Sequence, residues 1–271
     1  ANNAGCGIRN WTYPGPRGPL YTYPTITGCV IAENQQEGVL GGIPTINNCT
    51  IVDNLAGGVN CYWPTVNDSI IYYNGEDSDG PQIAGSKVAV TYSNVQGSWP
   101  GLGNIDADPC FADLGHWDTN DTPDDLEDDF WVDGDYHLKS SGWRWDTSRK
   151  IWTWDTVTSR CIDAGNPGSP LGEEPLSVPV DPTSYWGRNL RVNMGAYGGT
   201  SEASIAPHGL ALQADLTNDG AVNWRDFACA APNRAAIVGG HPGDLNRDGV
   251  TNSADIALLA DDWLKQTTWC E

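Results

Sequence analysis

Three segments of the chain align without gaps at a period of 20 residues: TITGCVIAEN from Thr25, TINNCTIVDN from Thr45 and TVNDSIIYYN from Thr65. The aligned columns keep their chemistry. Ile26, Ile46 and Val66 form one apolar column, and Ile31, Ile51 and Ile71 form another. Asn34, Asn54, Asn74 and then Asn94 recur every 20 residues. So short a unit cannot bury its apolar side alone and must stack on a neighbour, which restricts the chain to a solenoid. The runs are short, rich in Ile, Val, Thr and Tyr, and broken by Gly and Asn, so each turn is built of strands. The expected fold is mainly β, with a short right-handed parallel β-helix over residues 1–97. Its rungs, four or five of them from Cys6 to about Gln96, stack about 4.8 Å apart. Like residues therefore meet, and an Asn column forms a hydrogen-bonded ladder.

One further column holds Cys6, Cys29, Cys49 and Ser69, each two residues before an isoleucine. Stacked Cα atoms at the rung spacing fall inside the range a disulfide accepts, about 4.4–6.8 Å. One adjacent pair can be bridged, and the third cysteine then needs a partner elsewhere, Cys61 being one choice. The pairing stays open. A solenoid also needs covers over its end rungs. No helix precedes Cys6, so either the Trp11–Pro19 segment folds over that end or another molecule does.

Near the C-terminus two stretches share one grammar: DLTNDGAVNWRD, from Asp215 to Asp226, and DLNRDGVTNSAD, from Asp244 to Asp255. Side-chain oxygens occupy loop positions 1, 3 and 5, as Asp215, Thr217 and Asp219 in the first and Asp244, Asn246 and Asp248 in the second. Gly220 and Gly249 make the sharp turn at position 6. The carbonyls of Ala221 and Val250 serve at position 7, Asn223 and Asn252 at position 9, and Asp226 and Asp255 at position 12. A hard divalent cation takes six to eight oxygens, and a tight loop supplies them from alternate positions. Two calcium ions are therefore expected. After the second loop, Ile256, Leu259 and Trp263 are spaced for one face of a helix.

An Asp at position 12, with a helix only after the loop, resembles a type I dockerin over about residues 207–271. The resemblance implies a calcium-folded α-helical module that docks onto a cohesin-type receptor. Thr217 departs from the usual Asn or Asp at position 3, so the first site is expected to be the weaker. Pro232 interrupts the first helix, FACAAPNRAA. Cys229 and Cys270 lie in the two halves and are placed to clasp the module.

Between these regions the chain carries TYSNVQGSWPGLGNIDADPCF from Thr91, then DYHLKS, CIDAGNPGSP and RVNMGAYGGTSEAS. This series resembles the C-terminal portion of planctomycete-type secreted β-helix proteins, in which a dockerin-like tail often follows. It implies an extracellular β-rich protein without an assigned activity, with residues 98–206 as a β-rich cap. Trp143, Trp145, Trp152 and Trp154 flank DTSRK in two-residue alternation, the pattern of a hairpin with aromatics on one face. Such a hairpin serves as a packed cap or as a sugar-stacking platform. Residues 113–135 carry ten acids and no Lys or Arg. Within them Asp118, Asn120, Thr122 and Asp124 alternate as calcium ligands do, a candidate third site without a turn glycine.

Composition sets the compartment. A formal charge of −21 argues against nucleic acid or an anionic membrane as partner. No apolar run approaches the roughly 20 residues of a membrane-spanning helix. The chain starts at Ala1 with no leader in view, so a mature secreted protein is expected. Eight cysteines without a CxxC pair fit disulfides in an oxidising exterior. Sequons at Asn10, Asn48, Asn67 and Asn120 permit glycans.

No catalytic residues are assigned. Residues 1–110 contain only Arg9, Arg17 and Lys87 as bases, none in the repeat columns noted above. Glu33 and Asp53 are the one stacked acid pair, and their column continues to Tyr73, which reads as an edge. The histidines, His116, His137, His208 and His241, are scattered. The chain is therefore read as a non-catalytic, calcium-stabilised, extracellular structural protein that joins head to tail into a filament or cell-surface array. Its partners are other copies of itself or a cohesin-like receptor, with polysaccharide as a further ligand class. The alternative is a lyase- or glycosidase-like subunit held on a cohesin-bearing scaffold by its dockerin.

Overall fold

The structure, a computed structural model, describes residues 4–16, 18–76, 80–122, 127–176, 188–210, 212–230 and 241–267. The first rung comprises β1 (Ile8–Arg9), β4 (Thr25–Thr27) and β5 (Val30–Ala32). A hairpin of β2 (Thr12–Gly15) and β3 (Gly18–Tyr21) is inserted after β1. The second rung is β6 (Val39–Leu40), β7 (Thr45–Asn47) and β8 (Thr50–Val52). The third is β9 (Val59–Asn60), β10 (Thr65–Asn67) and β11 (Ile70–Tyr72). The fourth is β12 (Ile83–Ala84), β13 (Ala89–Thr91) and β14 (Asn94–Val95). Three parallel four-stranded sheets result, in the orders β1-β6-β9-β12, β4-β7-β10-β13 and β5-β8-β11-β14. Residues 8–95 form a parallel β-solenoid whose four stacked rungs span about three turns.

The repeat columns coincide with the register. Ile26, Ile46, Val66 and Val90 pair in line, as do Ile31, Ile51, Ile71 and Val95. A third inward column, Ile8, Val39, Val59 and Ile83, completes the triangle. All twelve belong to one apolar core, Ile8 at its edge. Each fully buried isoleucine or valine there contributes about 1.5–3 kcal/mol. The third column escaped the alignment because its strands are two residues long and stand among glycines. Those glycines are needed: a Cβ on Gly38 would lie 2.7 Å from Ile51 Cγ2 and 2.9 Å from Asn54 Nδ2.

Two columns differ from expectation. The Asn ladder runs from Asn34 to Asn54 (2.6 Å) and from Asn54 to Asn74 (2.8 Å), but it ends on Gln82 (2.8 Å) rather than Asn94. The third and fourth rungs are spaced by 24 residues, Thr65 facing Ala89, so Asn94 lands in β14 opposite Ile70. Cys6 also leaves its proposed column, because it precedes β1 and that strand pairs with β6. The true column is Cys29, Cys49, Ser69 and Ser93, linked from Cys49 N to Ser69 Oγ (3.1 Å) and from Ser69 N to Ser93 Oγ (3.2 Å). The expected disulfides are not formed among the seven described cysteines, and Cys270 lies outside the described residues. Burial pushes the Cys49 and Cys61 thiols up to about 12.

The second face of β5-β8-β11-β14 is buried too, since Val52 and Ile70 join a second core with Phe111, Tyr136, Leu138, Ile162 and Met194. The runs TIV and IIY, apolar without alternation, anticipate burial on both faces. The cap thus lies along a side of the solenoid. It contains three antiparallel pairs: β15 (Phe111–Asp113) with β18 (Asp135–Leu138), β16 (His116–Asp118) with β17 (Phe130–Val132), and β19 (Arg144–Asp146) with β20 (Ile151–Thr153). The last is the tryptophan hairpin, with Trp145 opposite Trp152 and their rings edge to face at 5.8 Å. Residues 99–105 cover the last rung, with Tyr92 N donating to Leu102 O and Val95 N to Ile105 O. The described residues include two helices, α1 (Trp224–Ala230) and α2 (Ser253–Asp261). Pro232 lies outside the described residues.

Candidate metal centre

The two acidic loops fold alike, position by position. Asp215 accepts from Asp219 N (3.2 Å) and Gly220 N (2.9 Å), and Asp244 accepts from Asp248 N (3.1 Å) and Gly249 N (2.9 Å). The position-12 carboxylates reach back across each loop. Asp226 takes Thr217 N (3.0 Å) and Asn223 N (2.8 Å); Asp255 takes Asn246 N (3.1 Å) and Asn252 N (2.7 Å). The position-5 carboxylates accept from Ala221 N and Val250 N. Gly220 and Gly249 have φ of 90° and 88°, a conformation only glycine adopts without strain. In the second loop Asn252 caps α2, with Asp255 closing the capping box.

The donors are carboxylate, amide, hydroxyl and carbonyl oxygens, the set a hard divalent cation prefers. In the first loop single oxygens of Asp215, Asp219 and Asp226 lie within 4.8 Å of one another, and among the described residues no other such group is found. Thr217 Oγ1 also approaches Asp226 (3.0 Å). The loop that its Thr marked as weaker is therefore the one with the converging carboxylates. Burial pushes the Asp215 carboxyl up to about 6, with Arg191 opposing and Asp226 and Asp219 adding to the rise.

Position 4 carries a contact that sequence reasoning missed. Asn218 and Arg247 both take left-handed backbone, φ 55° and 57°, and both point at the cap. Asn218 donates to Gly103 O and Ala164 O (2.7 Å each). Arg247 donates to Pro167 O (2.9 Å) and Leu190 O (2.5 Å). From the cap, Arg191 returns a bond to Asp215 O (2.5 Å). The only sequence signal was two polar residues at the same loop position.

These contacts converge on a polar seam where CIDAGNPGSP meets RVNMGAYGGTSEAS. Asp163 accepts from Leu190 N (2.7 Å) and Arg191 N (2.6 Å), and Asn193 Oδ1 accepts from Asp163 N (2.8 Å). Glu174 accepts from Asn193 N, Gly199 N and Asn189 Nδ2. Asp68, from the third rung, accepts from Asn166 N (2.6 Å) and Ser169 Oγ (2.8 Å). Arg191, only 1% exposed, donates to the carbonyls of Ala164, Gly165 and Asp215. Burial pushes Asp163 and Glu174 up to about 7 and Asp68 up to about 6, against the pull of the N–H groups around them.

The remaining candidates do not gather. Asp118, Asn120 and Thr122 lie on an exposed turn whose Asn120 and Thr122 side chains bond Asp128, and Asp124 is outside the described residues. Glu33 is taken by the Tyr136 hydroxyl of the cap (2.9 Å). Asp53 is raised by burial and then by Glu33. His137 is buried, with Nδ1 2.5 Å from Asp135 and Nε2 3.4 Å from Glu202, stacked on Tyr197. Of the sequons, Asn67 is buried, its amide bonding Asn47 and its carbonyl accepting from Thr91. Asn48 bonds Asn193 O, Asn10 bonds Gly41 O, and Asn120 stands on the exposed turn. No protein-family model, characterised protein or solved structure matches the chain.

Proposed function

We propose that the chain is a non-catalytic extracellular structural protein that binds calcium in its two C-terminal loops and assembles head to tail. The observation that carries the reading is the repetition of one hydrogen-bond pattern in both loops, down to the carboxylates that close them. Two acidic loops of one design crowd several carboxylates into twelve residues each and repel their own charge until a divalent cation enters. The ligands would be Asp215, Thr217, Asp219, the Ala221 carbonyl, Asn223 and Asp226 in the first loop. In the second they would be Asp244, Asn246, Asp248, the Val250 carbonyl, Asn252 and Asp255. The cation's part is charge neutralisation and loop closure, and the chain's own part is to aim position 4 at the cap.

Assembly is supported by the first rung. β1, β4 and β5 each terminate their sheet, so three short parallel edges stand at one end, a template for strand addition. A contact between that end and a different surface of the next copy runs head to tail and builds rings or filaments. The dockerin resemblance keeps a cohesin-like receptor as the rival partner.

Calorimetric titration of the metal-free chain with calcium is expected to reach two ions per chain. Asp226→Ala is expected to remove the first ion and Asp255→Ala the second. Negative-stain microscopy in calcium is expected to show filaments or rings that disperse on chelation. Absence of calcium uptake defeats the metal reading. Dispersed particles under both conditions, with calcium bound, defeat the assembly reading alone.

A further inference from the structure

The corner of the solenoid that leads into β4, β7, β10 and β13 differs in chemistry from the rest of the molecule. With the register of those strands, the residue two before each forms a column: Tyr23, Ile43, Trp63 and Lys87. Lys87 therefore does belong to a repeat column, once the 24-residue spacing of the last rung is applied. Tyr23 is 73% exposed and Trp63 37%. Lys87 Nζ sits 4.6 Å above the Trp63 ring. Beside this column the Tyr62 ring is stacked on Tyr21 (4.7 Å) and tilted against Trp63 (5.0 Å). At the start of the same corner Arg9 lies over exposed Trp11 at 5.9 Å.

Charge sets this corner apart. The chain carries 35 acids against 14 Lys and Arg. Yet the described residues of the four segments that build the corner, 9–25, 40–45, 60–65 and 84–89, include no Asp or Glu, while they hold Arg9 and Lys87. The neighbouring carboxylate of Glu37 is engaged by Asn60 Nδ2 (3.0 Å). In a protein of net charge −21, an exposed aromatic ridge with cations and no acids is a local exception.

We propose that this ridge binds a linear anionic polysaccharide of the uronate class. The flat C–H face of a pyranose suits the exposed ring of Tyr23, and Trp63, already under Lys87 and against Tyr62, flanks it about 10 Å along the axis, two rungs at the β spacing. That is a disaccharide's length. Carboxylates of different sugar units meet Lys87 at one end and Arg9, which also donates to Gln36 Oε1 (3.0 Å), at the other. Attraction between the carboxylates and these exposed cations is screened by salt. The site is independent of the C-terminal loops and does not rest on calcium.

The test is calorimetric titration of the full chain with a galacturonate hexamer, with maltohexaose as the neutral control, at low and at physiological salt. Saturable binding of the acidic oligomer, weakened by salt, is expected, with no saturation by the neutral one. Trp63→Ala and Lys87→Gln are each expected to weaken binding about tenfold, whereas Lys87→Arg retains it. Tyr23→Ala is expected to weaken binding similarly, and its open position keeps folding out of the result. Two results overturn the proposal: no saturable binding of the acidic oligomer, or equal affinity in all variants. A third does so by assigning the ridge to a second copy: loss of self-association in sedimentation for Tyr23→Ala, without any change in oligomer binding.

Discussion

The solenoid and the seam behind it solve the same problem by opposite means. In the solenoid, apolar columns stack and the polar groups that must be buried repeat with them, so each Asn of the 34–54–74 ladder satisfies the next. In the seam nothing repeats. Asp68, Asp163, Glu174, Asn189, Arg191 and Asn193 are all buried, and each makes a bond to a backbone group from a different part of the chain. Repetition spreads stability over many equivalent contacts. A non-repeating network concentrates it on a few residues whose loss leaves several partners exposed to the same penalty.

The largest expected effect follows from that difference. Arg191→Met removes the donor for three carbonyls and the counter-charge beside Asp163 and Asp68, so it is expected to cost about 3–5 kcal/mol in urea unfolding. Arg191→Lys should recover little, because one ammonium cannot span the three acceptors. Full stability in Arg191→Met would break the comparison. In the solenoid, Ile51→Ala opens a cavity at the centre of the core and is expected to cost about 2–4 kcal/mol. The same change at Ile26, at the first rung, should cost less.

A second distinction is pH. The raised carboxyls of Asp68, Asp163 and Glu174 favour the folded state when protonated. Their contribution is complete below the unfolded value near 4 and is lost as pH rises through 6 to 7, on the order of 2–4 kcal/mol for each group. The metal-free protein is therefore expected to become less stable between about pH 5 and 8. Asp163→Asn and Glu174→Gln should flatten that slope, measured by thermal unfolding. Asp128 and Asp146, held low by Thr122 and by the Arg149 N–H, act in the opposite sense only at lower pH. The smallest effect belongs to the outer ladder: Thr91→Val removes one hydroxyl donor to Asn67 (2.6 Å) and is expected to cost about 1 kcal/mol.

The two loops show the same division between pattern and placement. Their grammar was legible as sequence, and the expected ligands do sit at equivalent positions in both. The sequence marked the first loop as the weaker site on account of Thr217, and it is in this loop that Asp215, Asp219 and Asp226 converge. Ligand type is written in a loop's letters, but the distance between carboxylates depends on what the loop packs against. Here the first loop is held by Arg191 and by the pairing of Val222 with Leu264 and Lys265.

What the sequence alone determined is whatever repeats or stays local. It set the strand columns, the period, the tryptophan hairpin, the turn glycines and the loop donors, because each depends on near neighbours or on an identical unit one rung away. Tertiary structure decided the rest. It ended the Asn ladder on Gln82, moved Cys6 out of its column and laid the cap along one side of the solenoid. It also turned Asn218 and Arg247 into grips on the cap, and gathered aromatics and cations from separate rungs onto one acid-free corner. In each case the partners lie far apart in the chain and share no period, so only the path of the backbone brings them together.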